Sequence, residues 1–179
     1  NSNYILSDED ISSFEKIIVE IKKNIPIQYI LGETHFYNLK FNVNSSTLIP
    51  RPETEELVRY ILSHNFSSVL DIGTGSGCIA ISIAKNSNAN IYAIDNSKEA
   101  LEIAKSNAIL NSVDVNFMFN DVFDFSDTKK YDLIVSNPPY VLNSEKIYMK
   151  KHVIDYEPHN ALFVEDSNPL IFYEKIALI

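Results

Sequence analysis

The tetrapeptide Asn137-Pro138-Pro139-Tyr140 has the residue types and spacing most suited to chemistry in this chain. It follows residues 131–136, which predict a buried strand, and open α/β sheets bind ligands at the carboxyl ends of their strands. Proline has no N–H, so the carbonyl oxygens of the turn stay available as acceptors, and the Asn137 amide adds another. Two acceptors converging on one NH2 group would orient its nitrogen lone pair, while Tyr140 would cover the flat face of an amide or base.

A glycine-rich segment marks a second candidate site. Gly73, Gly75 and Gly77 are three of the four glycines in the chain, and they lie between a strand-like run and a helix-like run. Glycine permits positive φ and close approach of a nucleotide-like cofactor to the backbone. The G-x-G-x-G spacing differs from the dinucleotide fingerprint, and a P-loop lysine is absent, so phosphate is not the expected ligand. Asp71 would repel pyrophosphate and favour a ligand with a positive amino group.

An acidic residue ends the next predicted strand. Residues 90–94 are apolar enough for a strand, and Asp95 follows them. A carboxylate at this position can accept both ribose hydroxyls of an adenosine. Acids at strand ends often cap helices, but Asn96 and Ser97 can cap the next helix, which leaves Asp95 free for the sugar. The three motifs together describe a site for S-adenosylmethionine that faces a site for an NH2 acceptor.

These motifs belong to a longer pattern. It includes residues 26–32, the segment 48–55 with Pro50-Arg51-Pro52-Glu53-Thr54-Glu55, and Tyr156-Glu157-Pro158 with the nearby Ala161-Leu162. With this pattern the chain resembles the glutamine N5-methyltransferases of the HemK/PrmC type, which modify class 1 peptide chain release factors. The 48–55 segment discriminates best. Relatives that methylate a ribosomal protein differ there, and adenine-N6 DNA methyltransferases share the Asn-Pro-Pro-Tyr turn without it.

The resemblance implies a reaction and a set of contacts. S-adenosyl-L-methionine would be the cofactor, and the methyl group would go to N5 of the glutamine in the Gly-Gly-Gln motif of class 1 release factors. Val122 stands where some members carry a tryptophan beside the adenine. Cofactor contacts are expected from Asp71, Gly73, Thr74, Gly75, Ser76, Gly77, Asp95, Asp121, Val122 and Asn137. Substrate contacts are expected from Asn137, Pro138, Pro139 and Tyr140, with Asn137 and Pro138 as the catalytic residues.

The elements that would position these residues alternate along the chain. Strands near 68–72, 90–95, 113–119 and 131–136, with helices between them, predict a parallel, doubly wound α/β sheet. The resemblance makes this a Rossmann-like class I methyltransferase fold. Such folds have further strands beyond the fourth, and the sequence starts with Asn1 and ends at Ile179. We therefore expect a truncated sheet and interpret the sequence as a fragment.

Three segments are predicted along the chain. Residues 1–32 would be the remnant of an N-terminal helical domain that docks the substrate, with a helix capped near Ser7 and a stripe of Ile11, Phe14, Ile18 and Ile21. Residues 33–52 would form a linker with a β-hairpin, in which 36–43 alternate as a strand does. Residues 53–179 would be the methyltransferase domain, entered by a helix over 54–63.

Composition narrows the class of protein. The formal net charge of -9 argues against a duplex-DNA footprint, so a protein substrate without direct nucleic-acid contact is expected. One cysteine, Cys78, cannot form an internal disulfide, and four histidines without ligand spacing predict no metal. No apolar run approaches the roughly 20 residues that span a bilayer, and no signal peptide is visible. These features predict a cytoplasmic monomer without membrane contact.

Other functions fit parts of the pattern. An adenine-N6 nucleic-acid methyltransferase would use the same turn on a flipped base, but it should carry a basic recognition region. A glutamine methyltransferase of a ribosomal protein is a second alternative. A nucleotide-binding module without catalysis would keep the glycine loop and would not need residues 137–140.

The roles of four charged residues stay open. Arg51, Glu53 and Glu55 either line the substrate mouth or cap and ion-pair the helix that follows them. The same two roles apply to Glu157.

Overall fold

The computed structural model describes residues 7–179. Helix α1 (Asp8–Lys22) begins at Ser7, whose hydroxyl accepts the Asp10 N–H at 3.1 Å while Asp10 accepts the Ser7 N–H at 2.9 Å. This capping box confirms the predicted helix start. A short helix α2 (Ile27–Leu31) follows and ends at Gly32, which has positive φ. The first six residues of the predicted 1–32 segment lie outside the described residues, and the domain division stays a prediction.

A β-hairpin connects these helices to the main sheet. Strands β1 (Glu33–Phe36) and β2 (Leu39–Asn42) are antiparallel. The turn residues Tyr37 and Asn38 both have positive φ, at 48° and 59°. The hairpin was predicted within 33–52, but the alternation over 36–43 placed a single strand across this turn, although Asn38 is of a type that tolerates positive φ. The Tyr37 N–H donates to Glu55 at 2.9 Å, which ties the hairpin to helix α3 (Pro52–Leu62).

Four parallel strands form the central sheet, as the alternation of strands and helices predicted. Their order is β5-β4-β3-β6, so β3 lies between β4 and β6. The strands are β3 (Ser68–Ile72), β4 (Asn90–Asp95), β5 (Asn116–Phe119) and β6 (Leu133–Ser136). Helices α4 (Cys78–Asn86) and α5 (Lys98–Asn111) make the crossovers.

Shorter elements complete the chain. Strands β7 (Val141–Leu142) and β8 (Phe163–Val164) pair in parallel, and the 3-10 helices Asn143–Tyr148 and His159–Ala161 lie between them along the chain. Helix α6 (Lys151–Tyr156) separates the two 3-10 helices, and helix α7 (Ile171–Ile176) follows β8. Among residues 7–179, no helix combines the length and the apolar composition that a bilayer crossing requires.

Both faces of the central sheet are covered. Alternate residues of β3 separate into two clusters, because successive side chains of a strand point to opposite faces. Val69 packs with the apolar residues of α3, α4 and the hairpin, while Leu70 and Ile72 pack with Val122, Phe125 and α7. The two apolar clusters fix which side chains of each strand face which layer.

A buried amide joins the hairpin to the glycine segment. Asn107 on α5 is fully buried and accepts the Asn42 N–H at 2.7 Å. Its NH2 group donates to the carbonyl of Asn42 at 3.0 Å and to that of Ser76 at 2.9 Å. Asn107 therefore satisfies three backbone groups from two distant segments, which would otherwise be buried without partners.

Removing this amide should cost much stability. Asn107→Ala leaves three backbone groups without partners, and each buried unsatisfied group costs about 1–3 kcal/mol. We expect a loss of about 3 kcal/mol or more in the free energy of unfolding, measured by urea denaturation. Asn116→Ala is the matched control, because Asn116 is exposed and donates one bond, at 3.2 Å to the Ile91 carbonyl. Equal losses for the two variants would contradict the bridging role.

Candidate active site

The register of the parallel strands brings the sequence motifs into one row. Ile72, the last residue of β3, is paired with Ile94 of β4 on one side and with Ser136 of β6 on the other. The glycine segment, Asp95 and Asn137 follow these three residues directly. The strand order changes direction at β3, and such switch points form crevices at the carboxyl edge of the sheet.

A cleft with about 1040 Å³ of free space, part of it open to solvent, lies at this edge. Nine of the predicted site residues line it: Gly73, Thr74, Gly75, Ser76, Asp95, Val122, Asn137, Pro138 and Pro139. The cleft therefore joins the candidate cofactor residues to the candidate substrate residues. Asp71, Gly77, Asp121 and Tyr140 are not among its lining residues.

The glycine loop is held by its own backbone amides. The N–H groups of Gly73 and Thr74 both donate to the carbonyl of Ile94, at 2.9 and 3.0 Å. The Gly75 N–H donates to the Asp95 carboxylate at 2.8 Å, and the Gly77 N–H donates to the Thr74 carbonyl at 2.8 Å. Gly75 has φ of 56°, and a side chain there would enter open space at the cleft, so the glycine keeps the backbone accessible.

Asp95 has a structural role that the sequence did not predict. Its second oxygen accepts the Ser97 N–H at 2.9 Å, while Ser97 caps helix α5 through the Ala100 N–H. The expectation that Asp95 is free of such bonds was wrong, because a carboxylate at a strand end lies within reach of the next turn. Each carboxylate oxygen accepts more than one bond, so the side chain can still receive hydroxyl donors. Burial raises the pKa of Asp95, and the N–H of Gly75 opposes this shift.

Asp71 lies beneath the loop and does not face the cleft. The alternation of β3 turns its side chain to the face that carries Val69 and helix α4, where it is fully buried. The Thr74 hydroxyl donates to it at 2.7 Å. Burial raises the pKa of Asp71 to about 7, against the opposing effect of this hydrogen bond. In this structure Asp71 therefore supports the loop through Thr74, and its predicted effect on a ligand stays a prediction.

The thiol of Cys78 lies at the start of α4 and lines the cleft. Desolvation, together with the Asp71 carboxyl, raises the pKa of this thiol to about 12. Cys78 is therefore a neutral thiol at physiological pH and not an activated nucleophile. Within the described part of the chain, no three His, Cys, Asp or Glu side chains cluster as a metal site would require.

Gly77 serves packing between two helices. A Cβ atom there would lie 2.8 Å from Cδ1 of Ile81 and 3.3 Å from Cβ of Ala104, and φ is 81°. Gly77 is not among the lining residues of the cleft, and its cofactor contact stays a prediction.

Both carboxylate oxygens of Asp121 accept hydrogen bonds from nearby residues. It accepts the Phe123 N–H and the Asn96 side-chain amide, each at 2.9 Å. This leaves Val122, which is 8% exposed, to line the cleft from that segment.

Tyr140 is not among the residues that line the cleft. The next residue, Val141, starts β7 and its N–H donates to the Leu162 carbonyl at 3.0 Å. Tyr140 is 61% exposed, and its predicted role as a cover over a bound amide stays a prediction.

The proline turn offers unused acceptors. Pro138 is buried and Asn137 is partly buried, and both line the cleft. Among residues 7–179, neither the Asn137 side chain nor the Pro138 carbonyl has a hydrogen-bond partner. The Ser136 hydroxyl donates to the Ile72 carbonyl at 2.7 Å, which fixes the turn next to the glycine loop. Two residues that line the cleft therefore carry acceptors that no described residue occupies.

The sequence predicted one wall of the cleft only in part. Residues 46–51, which we call the strap, line the cleft. The sequence left open whether Arg51 lines a substrate site, and the rest of the strap was not among the predicted site residues. Arg51 in the strap forms an ion pair with Glu157, at 2.7 Å from Nη2 to Oε1. The signal was present, because both residues fall in segments that carried the family resemblance.

Family comparison decides the class of this domain. The family model "Methyltransferase small domain" matches residues 51–160, which include the strap's Arg51, the glycine loop and the proline turn. The chain belongs to this methyltransferase family. A tRNA (uracil-54, C5)-methyltransferase of Pyrococcus abyssi, solved with S-adenosyl-L-homocysteine, superposes with a TM-score of 0.55. It is 19% identical to this chain, and the match covers 82% of this chain and 37% of the Pyrococcus protein. This likeness confirms the Rossmann-like fold.

Relatives of higher identity share one name. A release factor glutamine methyltransferase of Flavobacterium psychrophilum is 52% identical over 180 residues, covering 96% of this chain and 63% of that protein. One of Bacteroides thetaiotaomicron is 51% identical over 168 residues, covering 91% of this chain and 60% of that protein. These similarities confirm the resemblance expected from the motifs. The methyltransferase chain spans less than two thirds of the length of these two relatives.

The burial of Asp71 predicts a pH dependence of stability. Its pKa of about 7 exceeds the ordinary value of 3.8, so the folded methyltransferase binds more protons than the unfolded chain between these values. The contribution of Asp71 to stability therefore falls as pH rises through this window. Residue 71 cannot titrate in the variant Asp71→Asn. The difference in the free energy of unfolding, variant minus wild type, should therefore increase from about pH 4 to about pH 7.

Asp132→Asn is the control for this measurement by urea denaturation. Asp132 accepts the N–H groups of Ser67 and Ser68, which lower its pKa, so its stabilisation is present above the ordinary pKa and is lost as pH falls. Parallel pH profiles for wild type and Asp71→Asn would contradict the raised pKa.

Proposed function

We propose that this methyltransferase transfers a methyl group from S-adenosyl-L-methionine to the side-chain amide nitrogen, N5, of the glutamine in the Gly-Gly-Gln motif of class 1 peptide chain release factors. One observation carries the proposal. The Asn137 amide and the Pro138 carbonyl, both without partners among the described residues, line the same cleft as the glycine loop and Asp95. The two release factor glutamine methyltransferases that share about half of their aligned residues with this chain support the substrate class.

The cofactor half of the cleft suits a nucleoside with an amino-acid tail. Gly73 and Gly75 leave open space where a Cβ would stand, so a ligand can approach the loop backbone. Asp95 lines the cleft at the end of β4, in reach of ribose hydroxyls. Val122 and Phe172 add apolar surface for a base. These residues bind and orient S-adenosylmethionine, which supplies a methyl group on a positively charged sulfur.

The substrate half of the cleft suits a carboxamide. Asn137 Oδ1 and the Pro138 carbonyl accept the two protons of the glutamine NH2 group, which holds the nitrogen in place. An amide nitrogen is a weak nucleophile because its lone pair is delocalised into the carbonyl. Positioning and acceptors that stabilise positive charge growing on the nitrogen therefore supply most of the rate increase. One proton leaves to water after transfer, so a strong general base is not required.

Charge favours a protein substrate over a nucleic acid. With 24 acidic and 15 basic residues the chain repels phosphate backbones. A basic partner that binds ribosomal RNA is attracted to such a surface.

One assay tests the proposal. The full-length protein is incubated with labelled S-adenosylmethionine and a class 1 release factor, duplex DNA, or neither, and the label is located by peptide mass. The proposal expects label on the glutamine of the Gly-Gly-Gln motif alone. Label on adenine, or on a glutamine elsewhere in a ribosomal protein and not in the release factor, would replace it with one of the alternatives.

Asn137→Ala should separate transfer from cofactor binding. The substitution removes an oriented acceptor in the reacting position, and losing one such group costs about 100-fold or more in rate. We expect methylation of the release factor to fall by at least this factor while the Kd for S-adenosylmethionine changes little, as measured by calorimetry. A parallel loss of affinity would show that Asn137 serves the cofactor instead.

Asp95→Asn should give the opposite pattern. The amide keeps an acceptor for the Gly75 N–H, gives up the bond from the Ser97 N–H, and loses the charge that strengthens bonds from ribose hydroxyls. We expect the Kd for S-adenosylmethionine to rise about tenfold, with the rate at saturating cofactor largely kept. A fall in that rate with unchanged Kd would place Asp95 outside the ribose site.

A further inference from the structure

The strap is fixed over the cleft from two remote points. The Tyr29 hydroxyl of α2 donates to the Thr47 carbonyl at 2.7 Å, and Thr47 is 1% exposed. Glu157, which follows α6, accepts the Ile49 N–H at 3.3 Å with one oxygen and pairs with Arg51 through the other. The side chain of Glu157 is 1% exposed, so its charge depends on Arg51 for compensation.

Arg51 keeps donors for a ligand. A guanidinium has five N–H donors in a planar fork, and the bond to Glu157 at 2.7 Å is the one that the described residues provide. The Arg51 side chain is 35% exposed and lines the cleft. Among the described lining residues, Arg51 is the one cation and Asp95 the one acid. The ion pair with Glu157 therefore leaves a positive group with further donors in the lining of the cleft.

The glycine loop does not offer the donors that an anion needs. The N–H groups of Gly73, Thr74, Gly75 and Gly77 all donate to acceptors of the protein. Ser76 alone among the loop residues keeps a backbone N–H without a partner in the described chain. A carboxylate has two oxygens with about four acceptor sites, so one N–H would leave it largely unsatisfied. The other side-chain donors that line the cleft are neutral hydroxyls and amides, whereas Arg51 adds a positive charge, and hydrogen bonds from a charged donor to a carboxylate are the stronger ones.

We infer that Arg51 binds the α-carboxylate of the amino-acid end of S-adenosylmethionine, and that Glu157 is a positioning residue that holds the Arg51 fork toward the cleft. This inference rests on the proposed function, because it assumes the same cofactor. The guanidinium and the carboxylate match in geometry, and two parallel N–H donors can serve both oxygens. The carboxylate at one end and the ribose at Asp95 then fix the methyl group between them, facing Asn137.

The test compares two ligands that differ in the carboxylate. The full-length protein is titrated by calorimetry with S-adenosylmethionine and with its decarboxylated derivative. In the wild type we expect S-adenosylmethionine to bind about 10- to 100-fold more tightly. Arg51→Gln should weaken S-adenosylmethionine by about this factor and leave the decarboxylated derivative nearly unchanged, so the ratio of the two Kd values collapses. Arg59→Gln, in the last turn of helix α3 and exposed, is the matched control and should keep the ratio.

Each other outcome overturns the inference. Equal weakening of both ligands by Arg51→Gln would mean that the ion pair only maintains the wall of the cleft. An unchanged ratio with a raised KM for the release factor would mean that Arg51 contacts the protein substrate. A wild type that binds both ligands equally removes this inference alone, while a wild type that binds neither removes the proposed function as well. Both Kd values are measured on the same variant, so their ratio can be read even when part of the sample is unfolded. Arg51→Lys supplies a second variant that keeps the charge.

The role of Glu157 has its own readout. Glu157→Gln keeps an acceptor for the Ile49 N–H but removes the charge that orients Arg51. We expect it to lower the ratio of the two Kd values less than Arg51→Gln does, and the double variant to show no further loss. Additive effects in this double-mutant cycle would mean that Glu157 acts independently of Arg51, which overturns its positioning role.

Discussion

The parallel pairing of β3 with both β4 and β6 is the constraint on which the site depends. Because Ile72 stands level with Ile94 and Ser136, three segments far apart in sequence leave the sheet side by side. A shift of one residue in either pairing would turn the strand's apolar side chains to the wrong face. The two apolar clusters on opposite faces of the sheet therefore hold the glycine loop, Asp95 and Asn137 in one row.

The hydrogen bonds of the loop backbone determine which groups stay available for a ligand. The glycine loop uses most of its N–H groups to keep its own shape, and Asp95 and Asn107 supply further bonds from β4 and α5. A loop held in this way presents a close and rigid surface, but few donors. Under the proposed function, polar recognition in the cleft therefore depends on side chains of other segments, such as Asn137 and Arg51. Asp95 would serve both purposes, because its carboxylate holds the Gly75 N–H and lines the cleft.

Much of this architecture could be predicted from the sequence. Apolar runs located all four parallel strands, and the motifs at their ends located the cleft, because chain order and strand alternation are local properties. What the sequence did not predict depends on contacts across long separations. The inward turn of Asp71 follows from the strand register, the bonds of Asp95 follow from the fold of the glycine loop, and the strap's contact with Glu157 spans 106 residues. The exposure of Tyr140 depends on the pairing of β7 with β8, which two-residue strands do not signal in a sequence.

The most direct test of the central claim is a crystal structure of the full-length protein with S-adenosylhomocysteine and a glutamine peptide from a release factor. The measured quantities are the distances from the glutamine amide nitrogen to Asn137 Oδ1 and to the Pro138 carbonyl oxygen. Both should be about 3 Å, with the nitrogen facing the sulfur of the cofactor product. A glutamine amide bound elsewhere, or Asn137 Oδ1 bonded to the protein's own backbone, would contradict the account.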